Sequence, residues 1–358
     1  MRIIRVVPFL DFGGLERRVF LTAIGFQKYS DLELEIFVLG SQGKTSGELF
    51  RLGIHPKHFN SKIRIPNLKL IYILYRQFRL FQPDVVHTSS AEANFHGLIA
   101  AWLAGVPVRI GEEIGFPNHD WKWRIIFRKV YSLATKVIAI SEAVKNRIVK
   151  LKEVKADKVE VVYNPVFIKE KKGRRTLGYS DAFVFVTTCR LVPVKNLDTL
   201  IAVFNDLVQD ELGEELKLWI IGEGTERAKL EKLVNESRLN GKVVFWGFQE
   251  NIRPYLEAAD AFVLPSFSEG FSISLVEAML CGLPCIVTNQ GGPSEIIEDQ
   301  STGFLINPND PRQIKNTMQH LIQISSQDRI QMGNQAKQAT SKYSIENHVK
   351  RLLEVYST

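Results

Sequence analysis

Residues Ala261–Thr288, AFVLPSFSEGFSISLVEAMLCGLPCIVT, read as a strand, a turn, a helix and a second strand. Ala261 to Leu264 is a short apolar run, and Pro284 to Thr288 is another. Between them Phe271, Leu275, Val276, Met279 and Leu280 recur at helical spacing, so the helix is expected to begin near Phe271 or Ser272. Strand, helix and strand in one stretch form a βαβ unit, which implies parallel strands covered by helices.

The same rhythm extends in both directions. Strands are expected at Ile3 to Val7, Leu34 to Leu39, Asp84 to His87, Val106 to Ile110, Lys136 to Ile140 and Glu160 to Val162. It breaks after Asn164-Pro165 at a charged run, Lys169 to Arg175, and restarts with Phe183 to Thr188, Leu216 to Gly222, Lys242 to Phe245 and the two strands already quoted. At 358 residues the chain exceeds one comfortable core. The reading is therefore two tandem Rossmann-like, doubly wound α/β domains, over 1–165 and 183–344, with a linker over 166–182. A terminal amphipathic helix over 345–358 is free to return to the first domain. Ligands of such folds bind beyond the carboxyl ends of the strands, which predicts a cleft between the two domains.

Apolar residues make up 45% of the chain and charged residues 24%, an ordinary globular balance. No run of about 18 apolar residues occurs, which argues against a membrane span. Met1 to Pro8 is too short for a signal peptide. Three cysteines without framework spacing, Cys189, Cys281 and Cys285, suggest reduced thiols and a cytoplasmic location. Residues 1–165 hold 25 Lys and Arg against 15 Asp and Glu, while the remainder holds 21 against 24. That asymmetry favours an anionic partner for the first domain, such as the inner face of a plasma membrane or a lipid diphosphate, with a merely solvated basic face as the alternative. Nucleic acid is disfavoured, because no recognition helix or aromatic RNA motif accompanies the charge.

Glu269 and Glu277 lie eight positions apart across the small-residue turn that opens the helix. Helix-opening N–H groups lack intrahelical partners and attract an anion, while neighbouring carboxylates accept from hydroxyls. A phosphorylated polyol fits, and a nucleotide sugar fits best. Ser274-x-x-Glu277 also matches a capping box, which would give Glu277 a purely structural task. Arg190 and Lys195 follow the strand Phe183 to Thr188 and carry charge suited to a diphosphate. Gly222-Glu223-Gly224 offers a tight turn, and Phe245-Trp246-Gly247-Phe248 offers an apolar slot for a base. Gly13-Gly14 follows the first strand and permits close backbone approach, but it does not match a dinucleotide fingerprint, which disfavours a dehydrogenase.

Together these residues resemble the family 4 retaining glycosyltransferases of the GT-B fold, over nearly the whole chain. The matching elements are Gly13 to Glu16, Pro83 to His87, Ala104 to Pro107, Ser141-Glu142, Asn164-Pro165, Arg190 to Asn196, Gly222 to Gly224, Phe245 to Gly247 and the E-x7-E of Glu269 and Glu277. The resemblance implies that Gly13 and Gly14 approach the donor diphosphate, that Arg190 and Lys195 bind it, and that the N–H groups of Phe271 and Ser272 complete its site. It also implies that Glu277 holds the ribose and that Glu269 faces the sugar. Gly222, Gly247 and Phe248 are the remaining nucleotide-side candidates. Many members carry a histidine where this chain has Gly111-Glu112-Glu113-Ile114-Gly115, so Glu113 is the expected stand-in, with His119, His87 and His96 as alternatives on the acceptor side.

The expected activity is transfer of a hexose or N-acetylhexosamine, most simply from a UDP-sugar, to a glycan or lipid-linked acceptor with retention of configuration. No cofactor or metal is expected, since no Asp-x-Asp pair is present. A nucleotide-sugar epimerase or a silent nucleotide-sugar-binding subunit would use the same residues.

Overall fold

The computed structural model describes residues 1–11, 13–168, 182–210 and 215–358. The chain divides into two compact units, Met1–Val166 with Tyr343–Thr358, and Phe167–Lys342. The run Lys169 to Arg175 that marks the expected linker lies outside the described residues.

The first unit alternates β1 (Arg2–Val7), α1 (Gly14–Phe26), β2 (Glu33–Val38), α2 (Lys44–Arg51), β3 (Lys57–His58), α3 (Leu68–Phe81), β4 (Val85–Ser89), α4 (Ala91–Leu103), β5 (Val108–Glu113), α5 (Trp121–Ser132), β6 (Lys136–Ala139), α6 (Glu142–Lys150) and β7 (Val159–Val161). Its seven parallel strands take the order β3-β2-β1-β4-β5-β6-β7. Alternation along β1 sends Ile4 and Val6 to the face covered by Leu70, Leu74 and Phe78 of α3 and by Ala93 and Ala100 of α4. Ile3 points the other way, into a cluster with Phe26 of α1 and with Val349, Leu352 and Tyr356.

The second unit repeats the plan with β8 (Ala182–Thr188), α7 (Leu197–Gln209), β9 (Glu215–Ile221), α8 (Arg227–Glu236), β10 (Val243–Gly247), α9 (Arg253–Ala258), β11 (Ala261–Leu264), α10 (Ile273–Leu280), β12 (Cys285–Thr288), α11 (Pro293–Ile296), β13 (Phe304–Ile306), α12 (Pro311–Gln323) and α13 (Ser326–Ala339). The parallel order is β10-β9-β8-β11-β12-β13. In both sheets the order reverses beside the first strand, between β1 and β4 and between β8 and β11, and such switch points open a crevice at the strand ends.

The chain ends in α14 (Ile345–Tyr356), whose residues belong to the first unit and pack on α1. Gly25 permits this approach, because a Cβ there would lie 2.5 Å from Val349 Cγ2. Beneath α1 and α14 sits a buried polar network. Arg18 Nη2 reaches Glu112 Oε1 at 2.5 Å, and Arg5 Nη2 reaches Glu112 Oε2 at 3.2 Å and Ser89 Oγ at 3.0 Å. The two guanidinium groups hold the Glu112 carboxyl well below the usual carboxylate range despite its burial, which opposes ionisation. This pairing lets β5 run three residues past the expected end at Ile110, carrying Glu112 into the sheet.

Removing one member of a buried charge network strands the others. Glu112→Gln should therefore lower the stability of the first unit by about 3–5 kcal/mol. Denaturant unfolding followed by a probe in that unit checks this, and an unchanged midpoint would show the network to be dispensable.

Candidate active site

At the second sheet's switch point, the segments leaving β8 and β11 must run side by side. The first makes a 3₁₀ turn, Pro193–Lys195, and is fixed by Asn196, whose Nδ2 donates to Pro265 O at 3.1 Å and Pro308 O at 2.9 Å. The Phe267 N–H in turn donates to Val194 O at 2.8 Å. These bonds carry Lys195 to Glu269, Nζ to Oε1 at 2.5 Å. Ser266 Oγ donates to the same carboxylate oxygen at 2.9 Å. Lys195 is half-buried, Glu269 is buried, and Arg190 is exposed on the same loop.

Helix α10 begins at Ile273, with Ser272 as its N-cap accepting from Leu275 N. Ser274 is thus inside the helix, so the capping box Ser274-x-x-Glu277 does not form. Glu277 is half-buried in the second turn, and Phe271 and Ser272 are buried in the approach to the helix. The main chain after Glu269 is tied to the segment beyond β12, where Gly292 N donates to Glu269 O at 2.9 Å.

Two further strand ends complete this edge. Gly222 follows β9 at φ 137°, and a Cβ there would lie 1.9 Å from Cys189 O, so only glycine fits against the β8 loop. Its N–H donates to Gly247 O at 2.8 Å, which joins the ends of β9 and β10. Phe248 beyond Gly247 is exposed, whereas Trp246 packs against Trp219 and Tyr255. Arg190, Lys195, Gly222, Gly247, Phe248, Glu269, Phe271, Ser272 and Glu277 thus all lie on the segments leaving the carboxyl ends of β8 to β11. Burial pushes the nearby Cys189 thiol up to about 11, so it offers no thiolate nucleophile at neutral pH.

In the first unit, Gly13 and Gly14 form the start of α1, beyond the end of β1. Glu113 closes β5 and is buried, with the Tyr131 hydroxyl donating to Oε1 and Asn94 Nδ2 donating to the Tyr131 oxygen at 3.2 Å. Burial raises the Glu113 carboxyl to about 7. His119 is close enough for its charge to act on Glu113, and its Nδ1 contacts Glu153 Oε1 at 2.8 Å, which raises the imidazole. His87 lies elsewhere. It is wholly buried beneath α14, with Nδ1 2.5 Å from the Tyr356 hydroxyl, and burial lowers it to about 4, so it is a neutral core histidine that presents nothing to solvent. His96 is buried too, bonded to Glu92 O and Asn67 N.

Sequence reading missed Ser266, Asn196, Tyr131 and Glu153, each of which orients a candidate residue. Of these only Asn196 carried a signal, as a helix-opening residue directly after Lys195.

A profile described as Glycosyltransferase Family 4 matches residues 12–170, and one described as Glycosyl transferases group 1 matches residues 169–339. The UDP-Gal:alpha-D-GlcNAc-diphosphoundecaprenol alpha-1,3-galactosyltransferase of Escherichia coli is 30% identical over 265 residues, covering 69% of this chain and 68% of its own length. The chain belongs to glycosyltransferase family 4. Another relative, the N-acetyl-alpha-D-glucosaminyl L-malate synthase of Bacillus anthracis, is 27% identical over 292 residues, 76% of this chain and 74% of its own. Among solved structures, Anabaena HepE in complex with UDP superposes with a TM-score of 0.85 over 100% of both chains at 22% identity, a likeness of fold. The fold is GT-B, with two parallel-sheet Rossmann-like domains, and the enzyme is a glycosyltransferase that takes its sugar from a nucleotide sugar.

The elevated Glu113 carboxyl has a pH signature. Its folded value of about 7 lies above the ordinary carboxyl value of 4.5, so the folded state binds the proton more tightly than the unfolded chain. Stability should therefore fall as pH rises from about 4.5 to about 7 and level off beyond, by about 3 kcal/mol at most from this group. Glu113→Gln should flatten that part of the profile. Identical pH slopes for the two proteins in denaturant titrations would contradict this assignment.

Proposed function

We propose that this family 4 enzyme is a retaining, metal-independent hexosyltransferase. It moves a hexose or N-acetylhexosamine from a UDP-sugar to a glycan or lipid-linked acceptor in cell-surface polysaccharide synthesis. The observation that carries the reading is Lys195 held against Glu269 at the switch point, on the loop that also bears Arg190 and beside the N-terminus of α10. Support for the donor comes from the UDP-Gal named for the Escherichia coli relative and the UDP bound to HepE. Support for a lipid-linked acceptor comes from the diphosphoundecaprenol in that relative's name.

The chemistry follows from where charge develops. As the bond between the anomeric carbon and the phosphate oxygen lengthens, negative charge gathers on the diphosphate. Lys195, Arg190 and the N–H groups leading into α10 stabilise that charge without transferring a proton. Phe271 and Ser272 supply main chain to the phosphate. Gly222 and Gly247 shape the nucleotide side, with Phe248 against the base. Glu277 accepts from the ribose hydroxyls, and Glu269 accepts from the sugar while fixing the Lys195 ammonium. Retention arises from attack on the face the diphosphate is leaving. The acceptor oxygen bonds to the anomeric carbon, the phosphate bond breaks, and the acceptor proton passes to the departing phosphate oxygen. Glu113, half protonated near neutral pH, offers a hydrogen bond to a substrate hydroxyl, with His119, whose imidazole is raised by Glu153, beside it.

Lys195→Ala should lower kcat by a factor of about 10²–10³ with little change in the KM for donor, because the charge it meets appears in the transition state. Steady-state transfer of radiolabelled sugar measures this, and an unchanged kcat removes Lys195 from the mechanism. Glu277→Gln should weaken UDP binding about tenfold, the worth of a charge-assisted hydrogen bond. Calorimetric titration with equal affinity for both proteins would exclude the ribose role. Acceptor-free conversion of the UDP-sugar to an isomer would identify an epimerase instead.

A further inference from the structure

Helices α3 and α5 are unusual in composition. The sequences LKLIYILYRQFRLF and WKWRIIFRKVYS contain Lys69, Arg76, Arg79, Lys122, Arg124, Arg128 and Lys129 and no Asp or Glu. All seven cations are exposed. Among the described residues, none of the seven forms an ion pair with a carboxylate. Arg124 and Arg128 instead donate to the main-chain oxygens of His119 and Lys152. Outside these two helices, residues 1–165 hold 18 Lys and Arg against 15 Asp and Glu, so the basic excess of the first unit is concentrated here.

The same helices expose large apolar groups. On α3, Leu68 is 77% and Leu80 79% accessible, and Tyr72 is also exposed; on α5, Trp121 is 66% accessible and Ile125 is exposed. Helix α4 packs between them and ends in Trp102 and Leu103, both exposed. The inner faces are ordinary core, with Leu70, Leu74 and Phe78 on α3 and Phe127 and Val130 on α5 all buried. Cations and bulky apolar groups therefore share the outer face of one helical layer. The acids beside this layer include Asp120, whose carboxylate accepts from Lys122 N and Trp123 N as the α5 N-cap, the half-buried Glu92 of α4, which accepts from Ser90 Oγ, and the buried Glu113 and Glu153, which act on Tyr131 of α5.

We propose that this outer face of α3, α4 and α5 docks on the surface of an anionic phospholipid bilayer. Lysine and arginine side chains meet lipid phosphates, while Trp and Leu side chains insert at the boundary between headgroups and acyl chains. Charge complementarity selects a negative partner, and the protruding Leu68, Leu80, Trp102 and Trp121 select one with an apolar interior. Nucleic acid offers phosphate but no such interior. The inference stands apart from the transfer reaction, since it rests on no residue assigned to donor or acceptor.

The test is sedimentation of the full chain with vesicles of phosphatidylcholine alone and of phosphatidylcholine mixed with phosphatidylglycerol. Binding should be at least about tenfold tighter to the mixed vesicles and should weaken with added salt. The triple variant Trp121→Ala, Lys122→Glu, Arg124→Glu should lose that preference, whereas Lys232→Glu with Arg238→Glu on the second unit should keep it. Equal binding by the triple variant and the native chain overturns the proposal, as does tighter binding to a DNA duplex than to the mixed vesicles at the same salt. Should the triple variant fail to fold, brominated phospholipid in the mixed vesicles decides with native protein. Quenched tryptophan fluorescence that Trp121→Phe reduces supports docking, and unquenched fluorescence overturns it.

Discussion

The contact between Lys195 and Glu269 is the constraint on which the candidate active site depends. A cation and a carboxylate separated by 74 residues meet because β8 and β11 are neighbours, and their outgoing loops have nowhere to go but alongside each other. Asn196 and Ser266 then remove the remaining freedom, one clamping the lysine loop to two carbonyls and the other donating to the carboxylate. An ammonium group fixed before substrate arrives needs no reorganisation when charge develops, which is the condition for effective electrostatic stabilisation.

The first unit carries its charge differently. Its buried network of Arg5, Arg18 and Glu112 is enclosed under α1 and α14 and is inaccessible to substrate. It joins two strands and a helix of the N-terminal sequence, and through Tyr356 and His87 it meets the last helix of the chain. The unit that contains β1 thus also contains α14. Glu113, the next residue along β5, alternates to the opposite face and joins Tyr131 and Asn94 instead. Adjacent glutamates in one strand so acquire opposite chemistry, one held ionised by two guanidinium groups and one pushed toward neutrality by burial.

Much of the architecture was legible because it repeats locally. Apolar runs such as Ile3 to Val7 and Ala261 to Leu264, each followed by helical spacing, define βαβ units without knowledge of anything distant. The candidate residues after β8 and β11 were legible for the same reason, as side chains just beyond apolar runs. What was not legible depends on strand order. Arg5 within an aliphatic strand gives no hint that its partner is Glu112, because that pairing exists only once β4 and β5 are laid beside β1. The same blindness left His87 open as an acceptor-side residue, since burial under a helix 269 positions later is invisible from its neighbours. The helix starts at Ile273, one or two residues later than the apolar stripe suggested, because Ser272 caps rather than joins it.

The most direct measurement is a crystal structure of the protein with UDP bound. The diphosphate is predicted within hydrogen-bonding distance of Lys195 Nζ and of the N–H groups leading into α10, with the ribose hydroxyls on Glu277. A UDP molecule bound elsewhere, with Lys195 still paired only to Glu269, would contradict the account.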